Sequence, residues 1–251
     1  MSGHSKWNSI KHKKAKVDAQ RGRTFTRLIK ELTVAARAGG GDSDANARLR
    51  TAIAGAKAAN MPAENIDRAI KKGTGELPGV SYEEITYEGY GPAGVALMMD
   101  VMTDNKNRTV AEIRHIMSKN GGNLGATNCV AWMFHKKGII TIPADGVSED
   151  ELMETALDAG AEDMKREGEL FEIVTAPANF EDVRAKLEEQ GFAMERAELT
   201  MIPENTVKVS EKDAPKVLKL MDALENQEDA QNVHGNFDIS EDILEKLAAA
   251  E

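Results

Sequence analysis

The spacing of apolar residues is helical throughout the first 72 residues and turns to strand spacing after a linker, and that change limits the fold more than any other feature. Over residues 23–38, Phe25, Leu28, Ile29, Leu32, Ala35 and Ala36 recur at i, i+3, i+4, i+7 and cover roughly 120° of a helix surface. Gly39-Gly40-Gly41 ends this helix, because glycine takes the left-handed cap conformation without strain. Asp42-Ser43-Asp44 supplies N-cap chemistry for a helix over 45–59, with Leu49, Ile53, Ala56 and Ala59 inward. Pro62 suits the first turn of another helix over 62–72, with Ile66, Ala69 and Ile70 inward. The glycine-rich stretch 73–79 reads as a linker, and beyond it the period falls from 3.6 towards 2. A small helical bundle therefore precedes a part built on sheets. Arg21-Gly22-Arg23 reads as a break before the bundle.

In the second part, strands are expected at 82–88 and 94–102 around the turn Gly89–Gly94, then a helix at 107–119 and a strand near 129–135. Residues 138–202 give strand, helix, strand, strand, helix, strand, which is the ferredoxin-like pattern. Strand, helix, strand follow at 206–209, 211–225 and 231–238, and a short helix closes the chain. The pieces before 136 and after 204 each lack the strands to close a sheet, but joined they make a second sandwich. The expected fold class is α+β: an N-terminal helical bundle and two α/β-sandwich, ferredoxin-like domains, one inserted in the other. The expected domains are 1–79 (basic, helical), 80–136 with 204–251 (discontinuous α+β), and 137–203 (inserted).

Charge divides the chain at nearly the same place. The whole chain of 251 residues carries −10, yet residues 1–75 hold 16 Lys+Arg against 6 Asp+Glu, and the remainder 16 against 36. Cations this dense require a polyanion or bulk water beside them, and nucleic acid is the commonest polyanion in a cell. Phosphate contacts are expected from Lys6, Lys11, Lys13, Lys14, Lys16, Arg21, Arg23, Arg27 and Lys30. On the helix over 23–38, Arg23, Arg27, Lys30 and Arg37 cluster within about 80°, opposite the apolar stripe. That face is expected to present its cations, so reversing Arg23, Arg27 and Lys30 to Glu should abolish binding and spare the fold. Trp7 and His12 lie among the lysines; such a ring stacks on an unpaired base, although anchoring the arm to the bundle is the favoured use of Trp7. Asn105, Lys106 and Arg108 open a helix and form a secondary phosphate candidate, with simple capping as the alternative. Acidic domains repelled by phosphate would turn outward and offer surfaces to proteins.

Other functions find little support. His4, His12, His115, His135 and His234 are scattered without ligand spacing, so no metal is expected, and no nucleophile motif or cofactor loop appears. Cys129, the one cysteine, excludes an internal disulfide and reads as a small core residue in an apolar strand. Gly121-Gly122-Asn123-Leu124-Gly125 reads as a helix stop and turn, with a backbone contact surface as its second use. No apolar run approaches a membrane span and the N-terminus lacks a secretory apolar core, so a cytoplasmic, non-enzymatic protein is expected.

Four blocks, GHSKWNSIKHKKAKVDAQRGRTFTRLIKELTVAARAGGGD, NMPAENIDRAIKKGTG, YEGYGPAGVALMMDVMTDNKNRTVAEIRH and KNGGNLG, resemble the YebC family of bacteria. A mitochondrial relative is the translational activator of cytochrome c oxidase subunit one. The resemblance spans essentially the whole chain. It implies three domains and no enzymatic activity, with two roles assigned among members: DNA-binding transcriptional regulation, or ribosome-associated assistance to synthesis of proline-rich stretches. A protein-interaction scaffold is the expectation from another class. Asn128-Cys129-Val130 departs from the family's usual Gly-Ser before the valine, so the turn there is expected to be built differently.

Overall fold

Val17–Gly39 forms a single helix, α1, in the computed structural model, which describes residues 17–250. The break expected at Arg21-Gly22-Arg23 is absent. Gly22 lies within the helix, and the Thr26 hydroxyl donates to its carbonyl at 3.1 Å. An internal glycine costs roughly 1 kcal/mol relative to alanine, an amount the packing of the rest of the helix offsets. Helices α2 (Ala47–Ala58) and α3 (Ala63–Thr74) complete the bundle. Its core is Leu32, Ala35, Ala36, Leu49, Ala52, Ala56, Met61, Ile66 and Ala69, and the small side chains let the helices approach closely. The cap of α2 is Asn46, not Asp42-Ser43-Asp44. Its buried amide accepts from Leu49 N at 3.1 Å and donates to Ala35 O at 2.8 Å and Gly40 O at 2.9 Å. One side chain thus closes the end of one helix and the start of the next.

The sheet-bearing part runs β1 (Glu83–Tyr90), β2 (Ala96–Thr103), α4 (Lys106–Lys119) and β3 (Asn123–Leu124). It continues with β4 (Phe134–Pro143), α5 (Glu149–Asp158), β5 (Ala161–Glu167), β6 (Leu170–Thr175), α6 (Phe180–Glu189) and β7 (Arg196–Pro203). It ends with β8 (Val207–Lys208), α7 (Ala214–Glu225), β9 (Ala230–Gly235), β10 (Phe237–Asp238) and α8 (Glu241–Ala250). No helix among the described residues is long and apolar enough to cross a membrane.

Two four-stranded sheets result. One has the order β5-β6-β4-β7 with every pair antiparallel, the ferredoxin-like order, and packs Ile140, Ile142, Phe171 and Ile173 against Leu152, Val183 and Leu187 of α5 and α6. The other has the order β3-β1-β2-β9, and β8 pairs in parallel with β10 beside it. Strands from both sides of the β4–β7 segment therefore share one sheet. Alternation along β2 gives that sheet two buried faces. Leu97, Met99 and Val101 meet Ile113 and Met117 of α4 and Val217, Leu220, Met221 and Leu224 of α7. Ala96 and Met98 face the other way and are covered by Val130 and Phe134, with Met201 of β7 packed beside them.

The strand expected near 129–135 is not one. A 3-10 turn spans Ala131–Met133, and β4 starts only at Phe134 and runs through the expected gap before 138. Val130 is buried because the loop lies flat on the sheet, not because its residues alternate.

Candidate nucleic-acid interface

Helix α1 turns its cationic side towards the protein's own C-terminal segment. Arg23 donates from Nη1 to Asn226 Oδ1, and Arg27 donates from Nη2 to the Glu225 carbonyl at the end of α7. The last carbonyls of a helix carry partial negative charge and lack intrahelical donors, so arginines there satisfy them. One turn further along α1, Lys30 Nζ lies 2.7 Å from Asp229 Oδ1 and 3.2 Å from the Glu228 carbonyl, with the Tyr82 ring 5.6 Å away. Lys30 is only 5% exposed. Presentation to solvent, expected from the helical wheel, is therefore corrected for Lys30, which is buried, and for Arg27, which is half-buried, whereas Arg23 is exposed while bonded to Asn226. The wheel shows a polar face but not that the face is covered.

Asp229 is where the two expected phosphate patches meet. Arg108, at the N-terminus of α4, reaches its Oδ2 at 2.9 Å, and Thr109 donates to the same oxygen at 2.6 Å. Arg108 also pairs with Asp104 at 3.0 Å. Burial alone would raise the Asp229 carboxyl, but the bonds from Lys30, Thr109 and Arg108 outweigh it and hold the group far below the usual carboxylate range. Gln227 Oε1 accepts from the Asp229 and Ala230 amides at 2.7 and 2.9 Å and shapes the turn that aims the carboxylate. One carboxylate thus ties α1 to α4 with two cations and a hydroxyl. Asn105 caps α4 by accepting from Arg108 N at 3.1 Å, and Lys106 beside it is exposed.

A second buried carboxylate organises the loop before β4. Glu88 accepts from the backbone N–H groups of Asn128 at 2.6 Å, Val130 at 2.8 Å and Ala131 at 2.7 Å. Burial would raise its pKa, but the three amides favour the charged form and the net displacement is downward. Gly121-Gly122-Asn123-Leu124-Gly125 is more than a helix stop, because Asn123 and Leu124 pair with Tyr90 and Gly89. Gly122 has no room for a side chain: a Cβ there would fall 2.8 Å from the Tyr90 carbonyl. Cys129 sits in a turn and not in a strand; its thiol is raised by burial and by the Glu88 charge. The Cys129 carbonyl accepts from both Tyr90 Oη and Trp132 Nε1, each at 3.2 Å. Asn128 has a left-handed φ of 65°, a conformation asparagine tolerates, which accommodates the unusual Asn-Cys pair.

The expected contacts at Lys6, Trp7, Lys11, His12, Lys13, Lys14 and Lys16 lie outside the described residues, and Arg21 is placed only as a backbone position of α1. Elsewhere on the bundle, Arg50, Lys57 and Arg68 are exposed, whereas Arg48 is held between Glu31 at 2.7 Å and Glu84 at 2.6 Å. Asp229 and Glu88 were not anticipated. In the sequence they look like ordinary members of acidic stretches, and only long-range pairing distinguishes them. Among the described residues, no group of three or more His, Cys, Asp and Glu is arranged to hold a metal ion.

Residues 5–76 match the model of the TACO1/YebC protein N-terminal domain, and residues 82–237 match that of the TACO1/YebC second and third domain. A protein of Syntrophobacter fumaroxidans named "Probable transcriptional regulatory protein" is 60% identical over 249 residues, covering 99% of this chain and all of that one. A Geobacter sulfurreducens protein with the same description is 59% identical over 247 residues, covering 98% of this chain and all of that one. The crystal structure of a conserved hypothetical protein from Aquifex aeolicus superposes with a TM-score of 0.82 at 53% identity, covering 94% of this chain and 97% of that one.

Proposed function

The chain belongs to the TACO1/YebC family, and we propose that it is a non-enzymatic regulator of gene expression that docks on nucleic acid through its basic N-terminal domain. The observation that carries this is the charge division: 16 Lys+Arg against 6 Asp+Glu in residues 1–75, on a chain whose remainder is strongly acidic. Because Arg23, Arg27 and Lys30 are engaged within the protein, the phosphate contacts fall to Lys6, Lys11, Lys13, Lys14, Lys16 and Arg21, with Trp7 and His12 among them. Such contacts position a protein on a phosphate backbone without reading bases. The acidic domains are repelled from the phosphates, set the orientation of the complex and offer surfaces to proteins.

The relatives' name favours transcription as the process regulated, for which DNA is the target we propose first. One structural observation favours the second reading, a translation factor on structured ribosomal or transfer RNA that aids proline-rich synthesis. Helix α1, the most cationic helix, is packed against residues 225–229, so Arg27 and Lys30 at the middle of its polar face are held away from a DNA major groove. Sequencing the nucleic acid crosslinked to the full-length protein in cells separates the two. Enrichment of chromosomal segments supports transcription, and enrichment of ribosomal or transfer RNA supports translation. Recovery of neither, with protein partners alone, would leave an interaction scaffold and overturn the proposal.

A further inference from the structure

The loop held by Glu88 carries two aromatic rings whose arrangement the charge division does not explain. Tyr90 ends β1 and Trp132 lies in the 3-10 turn, and both donate to one acceptor, the Cys129 carbonyl. Their polar atoms are thereby satisfied inward, while the rings remain 36% and 64% exposed. Trp132 is the most exposed large apolar side chain among those of the described residues. A tryptophan with its N–H already bonded and its ring in water offers a partner little but a π-face. The support beneath is rigid: Glu88 fixes the backbone on either side of Cys129 through three amides, and Val130 is anchored in the core under the sheet.

The charge around the rings is also unusual for this part of the chain. From Lys119 to Lys137 there is no Asp or Glu, although the sequence after residue 75 carries 36 acidic residues against 16 basic ones. Lys119 precedes the segment whose Asn123 pairs with Tyr90, Lys136 follows Trp132 on β4, and both are exposed. Glu88 beneath the loop is buried and already accepts three amides, Glu162 is paired with Lys137, and Glu204, whose amide donates to the Met133 carbonyl, faces His135 at 3.8 Å. Flat aromatic faces beside the exposed Lys119 and Lys136 match a base and its phosphate, whereas an acidic protein surface would meet the lysines but offer the rings no flat partner.

We propose that Tyr90 and Trp132 form a stacking platform for an unpaired base of a single-stranded nucleic-acid segment, a second contact remote in sequence from the basic arm. The proposal rests on the nucleic-acid reading above and adds to it a site that distinguishes single strands from duplexes, since a paired base has no free face.

The test uses the full-length protein carrying Trp7→Phe, which leaves Trp132 as the sole tryptophan. The probes are a fluorescein-labelled oligoadenylate and a labelled blunt-ended duplex of two complementary strands of similar length, with anisotropy reporting binding and tryptophan emission reporting the platform. Oligoadenylate is expected to quench Trp132 with the same midpoint as the anisotropy change, and the duplex is not. Trp132→Ala is expected to weaken oligoadenylate binding by about 5- to 150-fold, with duplex binding unchanged within about 2-fold. Trp132→Phe, which keeps a ring, is expected to retain most of the affinity. Oligoadenylate binding without quenching, and indifferent to Trp132→Ala, overturns the platform and leaves the basic-arm reading standing. Failure of both probes to bind at low salt overturns that reading and the platform with it.

Discussion

Replacing Asp229 with alanine tests the contact between the basic bundle and the rest of the protein. Asp229 and Lys30 have side chains only 2% and 6% exposed and lie 2.7 Å apart. Without the carboxylate, the Lys30 ammonium keeps the Glu228 carbonyl at 3.2 Å and the Tyr82 ring at 5.6 Å, and both are weaker partners than an anion. Removing one member of a buried pair costs about 3–5 kcal/mol. The low end applies, because Arg108 falls back on Asp104 and Lys30 is not wholly stripped of partners. The expected loss is therefore about 3 kcal/mol, or roughly 150-fold in the equilibrium for opening this contact. The separate cores can unfold independently, so the readout is native-state hydrogen exchange of the α1 amides. Lys30→Met leaves Asp229 with Arg108 and Thr109 and should cost only about 1–2 kcal/mol. The double variant should be more stable than Asp229→Ala alone, because no charge is then stranded. A loss below about 1 kcal/mol for Asp229→Ala, or a double variant that costs the sum of the singles, would refute the assignment.

Other consequences follow from the same geometry. Asp229 is displaced downward, so its contribution is complete above the ordinary carboxylate value and is lost as pH falls through its folded-state value. Protection of α1 should therefore be flat from neutral pH down to about 5 and fall only below about 4, and Asp229→Asn should remove that acid-side dependence. Glu88→Gln places an amide NH₂ against backbone donors and should cost about 1–3 kcal/mol, with a change in Trp132 emission that marks release of the loop. Gly22→Ala and Gly73→Ala should move the thermal midpoint in opposite directions. Gly22 is exposed in α1 with nothing near its absent Cβ, so alanine should stabilise by about 0.5–1 kcal/mol. A Cβ on Gly73 would fall 2.4 Å from the Thr33 carbonyl and force α1 and α3 apart, destabilising by about 1–3 kcal/mol.

The elements visible in the sequence were those whose burial is periodic. Helices α2, α3 and α4, the β1–β2 hairpin and the order from β4 to β7 carry their apolar residues at helical or strand spacing, and their bounds fall within a few residues of expectation. The misses have physical causes. Gly22 reads as a break because its intrinsic cost is local, whereas the packing that overrides it is not. The apolar run from Cys129 to Met133 imitates a strand, yet Glu88, from a distant part of the chain, draws its amides into a turn. For the candidate site, the cations were legible but their partners were not. Arg23, Arg27 and Lys30 read alike with the arm lysines until Glu225, Asn226 and Asp229 are brought against them by the strand β9 that follows. The exposed Trp132 carries no sequence signal beyond its type, because exposure depends on which side of the loop the sheet covers.

The salt dependence of nucleic-acid affinity bears most directly on the proposed docking through the basic N-terminal arm. With Lys6, Lys11, Lys13, Lys14, Lys16 and Arg21 as the engaged cations, log affinity for duplex DNA should fall against log salt with a slope of about −5, or about −4 on single strands. Replacing those six with glutamine should bring the slope close to zero and remove binding at physiological salt. A slope near zero in the unaltered protein, or one unchanged by the six substitutions, would contradict it.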